Sequence, residues 1–247
     1  MKVLKWIIII LLSLGLIGYF AYLIVDEDLP TGEEGPKAEE LANRMLEAVN
    51  DSAWHAIAVV EWNFTGQRHL VWDKVNHRAK VSWDNYDVFI KLGTKEGVAF
   101  AKEKKIEREE VSNKLLDEAY GIWANDSFWL NPITKIKDNG TIRKYVPQTD
   151  ENKEGLLVTY QTGGVTPGDS YLWVVDKKTA LAEYVKMWVQ IIPIGGMKFT
   201  WDDWNTTPEG AKIATSHESV MTINISELNT WPSLNMYPNL KEFEVLN

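Results

Sequence analysis

The chain of 247 residues contains no cysteine. This absence excludes disulfide bonds, catalytic thiols, zinc–thiolate centres and iron–sulfur ligation. It also excludes the lipid-bearing cysteine of a bacterial lipoprotein. Any attachment to a membrane must therefore come from the polypeptide itself.

Positive charge is scarce. The chain has 26 Lys and Arg against 35 Asp and Glu, and its formal net charge is −9. Nucleic-acid binding needs clustered basic side chains that neutralise phosphates. The densest basic segment, residues 102–108, is interleaved with glutamates and is typical of a solvated face. We therefore expect no nucleic-acid partner.

Motifs of common enzymes are also missing. The sequence holds no Gly-x-Ser-x-Gly, no His-Glu-x-x-His and no phosphate-binding loop. The pairs Gly163-Gly164 and Gly195-Gly196 are turn signals without a following helix, so they do not predict phosphate binding. We expect a protein that is not an enzyme and that carries no cofactor.

One candidate metal site is the series His69, Asp73 and His77, spaced four residues apart. On a helix this spacing would place metal ligands on one face. The surrounding pattern predicts a hairpin with its turn at residues 73–76, so we predict exposed hairpin histidines and no metal.

A second candidate is the pair Asp202 and Asp203, which lies between Trp201 and Trp204. Two carboxylates beside aromatic faces could bind a cation, hydrolyse a glycan or hold its hydroxyl groups. The alternative is a strand end followed by a solvated turn, and the sequence favours this second interpretation.

The N-terminal region predicts a membrane anchor. Residues 6–25 carry no charge, and twenty helical residues span the hydrocarbon core of about 30 Å. Lys2 and Lys5 precede this run and acids follow it, which places the body outside the cytoplasm, or in the periplasm of a Gram-negative host. A cleaved signal peptide is the alternative, but its apolar region would be shorter. We predict an anchor at 1–25, a tether at 26–36 and one domain at 37–247.

Apolar periodicity predicts a mostly antiparallel α+β fold. Residues 37–53 predict an amphipathic helix, and residues 107–124 predict a second helix that leads into an aromatic loop. Between residues 56 and 101, five apolar segments alternate with turn residues and predict a meander. Six further strands are predicted at 142–146, 156–162, 171–176, 181–190, 197–201 and 211–225.

Two hairpins carry a resemblance to a known family. The first joins Leu70-Val71-Trp72-Asp73-Lys74 to Arg78-Ala79-Lys80-Val81-Ser82-Trp83, and the second joins the strand of residues 171–179 to residues 183–188 with Lys186-Met187-Trp188. With this order of elements, residues 37–226 resemble the LolA/LppX-like half-barrel superfamily. The resemblance implies a curved sheet of about eleven strands that wraps one or two helices around an apolar cavity for a lipid or acyl chain. Members are soluble or lipid-anchored, whereas a chain with a transmembrane span favours a fixed role near the membrane.

Three hypotheses for function follow. The first is a membrane-anchored envelope protein that binds a lipid, an acyl chain or an acylated peptide; the second is an anchored scaffold with a packed barrel and an envelope protein as partner; the third is a glycan-active hydrolase centred on Asp202 and Asp203. Twelve tryptophans serve either packing or a cavity. The residues predicted to line a cavity are Trp62, Phe64, Trp72, Val81, Trp83, Val88, Ile90, Trp173, Trp188 and Phe199.

Overall fold

The computed structural model describes residues 26–162 and 166–246. The predicted anchor at residues 1–25 lies outside the described residues. Within them, no helix is both long enough and apolar enough to cross a membrane.

Three α-helices occur in the described chain: α1 (Pro36–Ala48), α2 (Asp51–Ala56) and α3 (Glu109–Leu130). Sequence periodicity predicted α1 and α2 as one helix. The break falls at Asn50, whose backbone is left-handed with φ of 54°, and whose side-chain oxygen accepts a hydrogen bond from the amide of Ala53. Asparagine tolerates this conformation and caps helices well, so it ends one helix and begins the next.

Helix α3 extends six residues beyond the predicted end at residue 124. The aromatic loop predicted from residue 125 to Pro132 is therefore wrong as far as residue 130. Asp126 and Ser127 favour loops by propensity, but both are buried here and Asp126 pairs with Arg68. Tertiary contacts hold these polar residues in the helix, which ends before Pro132.

Within residues 26–162 and 166–246, fourteen strands form two antiparallel sheets. They are β1 (Val59–Phe64), β2 (Arg68–Asp73), β3 (Arg78–Trp83), β4 (Tyr86–Lys91), β5 (Gly97–Ala101), β6 (Lys104–Lys105), β7 (Thr141–Val146), β8 (Lys153–Tyr160), β9 (Ser170–Asp176), β10 (Ala182–Trp188), β11 (Met197–Thr200), β12 (Asp202–Thr206), β13 (Lys212–Glu218) and β14 (Thr222–Trp231). The first sheet has the order β12-β13-β14-β1-β2-β3-β4-β5-β6, and the second has the order β11-β10-β9-β8-β7.

The predicted number of strands was about eleven. The additional strands are the short β6, the edge strand β12, and a division of the predicted strand at 211–225 into β13 and β14. Strand β14 pairs along β1, which lies more than 150 residues earlier in the chain. A local pattern cannot reveal such a distant partner, so the part of β14 beyond residue 225 was not predicted.

The two sheets join where the chain passes from β11 through Trp201 into β12. The amide of Glu218 donates to Oγ1 of Thr200 at 3.0 Å, which ties β13 of the first sheet to the end of the second. Helix α3 packs across β3, β4 and β5, and α1 packs on β7 and β8. The result is an open half-barrel, mostly antiparallel β, with helices against its concave side.

A second, smaller core covers the outer face of the first sheet. After β14 the chain forms short 3₁₀ turns at Leu234–Met236 and Leu240–Leu246. Phe243 packs edge-on against Phe89 of β4 at 5.8 Å between ring centroids. The tail thus shields apolar side chains that alternate with the interior ones along β1, β2 and β4.

Candidate functional site

Most of the predicted lining residues meet in the interior of the half-barrel. Strand side chains alternate between faces, so every second residue of β1 to β4 points toward the helices. Nine of the ten residues belong to one buried cluster: Trp62, Phe64, Trp72, Val81, Trp83, Val88, Ile90, Trp173 and Phe199. The sequence pattern identified this shared face without showing what lies against it.

Trp188 is the tenth residue, and the structure does not bring it to the interior. In β10, Val185 and Met187 are buried in the main cluster, and Trp188 contacts a separate cluster on the outer face of the second sheet. Its indole Nε1–H donates to the backbone carbonyl of Glu27 at 2.7 Å. Trp188 therefore holds the N-terminal segment of the described chain.

Helix α3 supplies aromatic residues that sequence reasoning did not include. Trp129 stacks on Trp201 with ring centroids 5.8 Å apart and an angle of 22° between planes. Trp173 meets Trp201 edge-on at 5.0 Å, and Phe199 meets Trp129 at 4.9 Å. The helical spacing of the aromatic residues continues through residue 129. A loop was predicted there, so Trp129 was missed.

A second aromatic group lies about two turns nearer the N-terminal end of α3. Trp123 contacts Trp72 edge-on at 5.4 Å, and Trp72 contacts Trp54 of α2 at 6.3 Å. The Lys74 ammonium lies 4.2 Å from the centre of the Trp54 ring. Burial lowers the pKa of Lys74 to about 8, although Asp51 opposes this shift.

Four buried indole groups lack hydrogen-bond acceptors. They belong to Trp62, Trp72, Trp123 and Trp173, and no atom of residues 26–162 and 166–246 accepts from their Nε1–H donors. A buried donor without a partner costs about 1–3 kcal/mol, and buried tryptophan normally finds an acceptor. By contrast, Trp204 donates to the carbonyl of Ala182 at 3.2 Å. The interior therefore carries donor capacity that its own residues leave unused.

His217 lies at the centre of the interior beside Trp201, with ring centroids 3.8 Å apart. Its Nδ1 lies 3.3 Å from the carbonyl oxygen of Thr200, and its Nε2 lies 3.2 Å from that of Trp129. Burial outweighs these two acceptors and lowers the pKa of His217 to about 4. The ring is thus neutral near pH 7 and can donate to only one of the two carbonyls.

A buried ion pair joins α3 to the first sheet. Nε of Arg68 lies 3.0 Å from Oδ2 of Asp126, whose side chain is fully buried. Burial raises the pKa of Asp126 to about 6 despite this cation and a hydrogen bond donated by Asn125. The pair fixes α3 over the end of β2.

Two open clefts lie at the surface of the described chain. One of about 380 Å³ lies at the ends of the β1–β2 and β3–β4 hairpins, beside Arg68 and Asp87. The other, of about 330 Å³, is lined by polar residues of β12, β13 and β14. In this conformation the protein's own aromatic side chains fill the concave face.

The residues of the metal hypothesis do not come together. Nε2 of His69 lies 3.0 Å from the carboxylate of Glu61, and Asp73 accepts a hydrogen bond from Nε of Arg78 at 2.8 Å. His77 lies in the β2–β3 turn with φ of 53°. Throughout the described part of the chain, no three His, Asp or Glu residues are grouped for a metal ion.

Asp202 and Asp203 lie exposed on the edge strand β12. Trp201 points into the interior with 1% of its surface exposed, and the Trp204 indole is bound to the Ala182 carbonyl. The two tryptophans thus leave the carboxylates without a common aromatic face. This geometry does not favour the glycan hypothesis.

No protein-family model and no curated protein matches the chain. Solved structures with a similar arrangement include a DUF1329 family protein from Desulfovibrio piger (13% identity, TM-score 0.41, 83% of this chain and 96% of the other). A LolA superfamily protein from Nitrosomonas europaea aligns at 10% identity with a TM-score of 0.42, and the alignment covers 76% of this chain and 92% of the other. A putative outer membrane lipoprotein-sorting protein domain from Vibrio parahaemolyticus aligns at 13% identity with a TM-score of 0.41. This alignment covers 83% of this chain and 100% of the other. The half-barrel description rests on the strand order of this chain.

Proposed function

We propose that this protein is a non-enzymatic, membrane-anchored envelope protein that binds a hydrophobic ligand bearing hydrogen-bond acceptors, such as a lipid or an acylated peptide. The observation that carries the proposal is the set of four buried indole donors without acceptors. Packing alone has no use for them, because a phenylalanine ring would fill much of the same space without a donor.

The chemistry of the ligand follows from what the interior offers. Ester or amide carbonyl oxygens would accept from the indole groups of Trp62 and Trp173, which are almost completely buried. An acyl chain would add about 0.8 kcal/mol for each CH₂ group removed from water. The aromatic interior suits a molecule that combines both groups.

Ligand entry requires α3 to move. This helix carries Trp123 and Trp129, which occupy the concave face in the closed conformation. Its first turn is exposed, whereas its last two turns are buried and fixed by the Arg68–Asp126 pair. An outward movement of the helix about its fixed end would open the space between α3 and strands β3 to β5.

The membrane anchor is part of the same proposal. Residues 6–25 are uncharged, basic residues precede them and acidic residues follow. This distribution supports a position of the half-barrel outside the cytoplasm. A fixed position beside the membrane would let the interior receive a hydrophobic molecule directly from the bilayer or from another carrier.

A packed scaffold is the second candidate, and the filled interior favours it. The clefts of about 380 and 330 Å³ lie at the surface and are lined by polar and apolar residues together. In this case the partner would be another envelope protein, and the unused donors would be a cost of packing many tryptophans together.

The two candidates are distinguished with the full chain purified in detergent. Native mass spectrometry and solvent extraction should release a reproducible acyl-bearing molecule, and the ligand-free protein should take up a fluorescent fatty acid. A folded protein that is always ligand-free and takes up none would contradict binding. A specific protein crosslink in membranes, without bound lipid, would then support the scaffold.

A further inference from the structure

The loop between β10 and β11 has an apolar tip. Residues 189–196 read Val-Gln-Ile-Ile-Pro-Ile-Gly-Gly and contain no charge. Ile191 exposes 73% of its surface, and Ile192 and Ile194 are partly exposed. Single exposed apolar residues are ordinary, but Ile191 and Ile194 lie together at the end of one uncharged loop, while Ile192 packs partly against the main core.

The first described residues of the chain are bound to this loop. The amide of Gly195 donates to the Asp26 carboxylate at 2.7 Å, and the amide of Glu27 donates to the carbonyl of Gly195 at 3.1 Å. Trp188 also donates to the carbonyl of Glu27. We name residues 26–29 the N-terminal strap.

Glycine is required for this contact. A Cβ atom on Gly195 would lie 2.6 Å from the carbonyl oxygen of Glu27, which is closer than real Cβ contacts come. The next residue, Gly196, has φ of 75°, a conformation that other residues rarely adopt. The Gly-Gly pair therefore allows the strap to lie in close contact with the loop. Turn propensity alone did not predict this role.

The uncharged run at residues 6–25 ends one residue before Asp26. Consecutive Cα atoms are about 3.8 Å apart, so the end of this run cannot lie far from Gly195. If the run enters a bilayer, as proposed above, the residue that leaves the bilayer is held within hydrogen-bond distance of the loop. The apolar tip must then lie at or near the membrane surface.

Two of the three acidic side chains of the strap already have partners. Lys186 Nζ lies 2.7 Å from the Glu27 carboxylate, and Asp26 accepts from the Gly195 amide. Unpaired acids would be repelled by an anionic lipid surface, and these contacts reduce that repulsion. Leu29 of the strap, with 46% of its surface exposed, adds a further apolar side chain.

A second apolar tip points toward the same end of the molecule. In the β13–β14 turn, Val220 exposes 85% of its surface and Met221 exposes 62%. Ser216 pairs with Asp202, and Glu218 contacts Thr200 at the end of β11. The β13–β14 turn therefore continues beside β11 toward Met197, where the β10–β11 loop ends. Both exposed tips therefore lie toward the Met197 end of β11.

We propose that the 191–194 tip inserts into the interface of the bilayer that residues 6–25 enter, with the 220–221 turn as a second contact. This inference rests on the proposed membrane anchor and adds to it a fixed orientation of the half-barrel. The strap is then a short rigid connection, and the β10–β11 end of the second sheet faces the lipid.

The absence of cysteine allows a direct test with the full chain reconstituted in vesicles of phosphatidylethanolamine and phosphatidylglycerol. Ile191→Cys and Val220→Cys would each carry a single environment-sensitive fluorophore. The matched control is Val75→Cys, because Val75 exposes 63% of its surface in the β2–β3 turn, at the end of β1 and β2 opposite to the β13–β14 turn.

The proposal expects the label at residue 191 to shift to shorter wavelength and to lose most of its emission to spin-labelled lipids. The label at residue 220 should show a smaller loss, and the label at residue 75 none. Protein that floats with vesicles but quenches equally at residues 191 and 75 would overturn the docking proposal alone. Protein that does not float with vesicles would overturn the anchor and the docking together, while ligand uptake in detergent would still report on the interior.

Discussion

The tryptophans of the interior and the tryptophan under the strap differ in how their polar atoms are used. On the outer face, Trp188 donates to a backbone carbonyl at 2.7 Å and joins two segments of chain. Inside, Trp62 and Trp173 are more deeply buried, yet their indole donors have no acceptor in the described chain. The outer contact is complete and has a structural role, whereas the interior is apolar, donor-rich and chemically incomplete. The difference separates a structural tryptophan from candidates for ligand binding.

The largest effect is expected where a buried carboxylate lies beside a cation. Arg68→Leu would leave Asp126 buried without its cation, and we expect the free energy of unfolding to fall by about 3–5 kcal/mol in urea titrations. Adding Asp126→Asn should recover part of this loss. The exposed pair Arg108–Glu110 is the control, and Arg108→Leu should cost well under about 1 kcal/mol. Equal losses for the two arginine variants would show that burial does not decide the strength of this contact.

A pH effect should follow from His217. Its pKa is lowered from 6.5 to about 4 in the folded protein, so the unfolded chain takes up a proton that the folded chain does not as the pH falls below 6.5. Stability from this residue is fully present above pH 6.5, decreases as the pH falls toward 4, and changes by about 3 kcal/mol in total.

The comparison with His217→Gln isolates this effect. Glutamine does not titrate and can donate to the same carbonyls. The stability of the wild type relative to the variant should decrease between pH 6.5 and pH 4, measured by urea unfolding at several pH values. Asp126 acts in the opposite direction, because its raised pKa favours the folded state at low pH, but it is present in both proteins and cancels. A constant difference across this range would contradict a buried neutral histidine.

A smaller and local effect is expected at the strap. Gly195→Ala places a Cβ against the Glu27 carbonyl and should destabilise this contact by about 1–3 kcal/mol. Hydrogen exchange should accelerate at the amide of Glu27 and leave the β1–β2 amides unchanged. Gly93→Ala is a matched control, because its Cβ would meet nothing closer than 4.0 Å. Unchanged exchange at Glu27 would show that the strap does not depend on the close approach.

Sequence patterns predicted the inner face of the half-barrel because strand alternation is a local property. Trp62, Trp72 and Trp83 were correctly placed on one buried face by their spacing. Trp188 lies outside because it alternates with the inward-facing Val185 and Met187 and shares its face with Lys186, which the same local rule would have shown. The end of α3 was missed because Asp126 is stabilised by Arg68, a partner 58 residues away in the chain.

Contacts between distant segments also explain the other differences. Strand β14 required β1 as a partner, and the strap required Gly195 and Trp188. The unused indole donors had no sequence signal, because whether a buried donor has an acceptor depends on the three-dimensional arrangement of the whole interior.

The central claim, that the interior donors serve a ligand, is tested most directly by titrating a fluorescent ester-bearing lipid into three proteins in detergent. Trp173→Phe removes one unused interior donor, and Trp188→Phe removes the satisfied outer one. One lost hydrogen bond is worth about 1 kcal/mol, so Trp173→Phe should weaken binding several-fold to about tenfold, and the space left by the smaller ring should also lower its unfolding free energy. Trp188→Phe should bind like the wild type and lose stability. Equal binding by the wild type and Trp173→Phe, or no binding by any of the three, would contradict the claim.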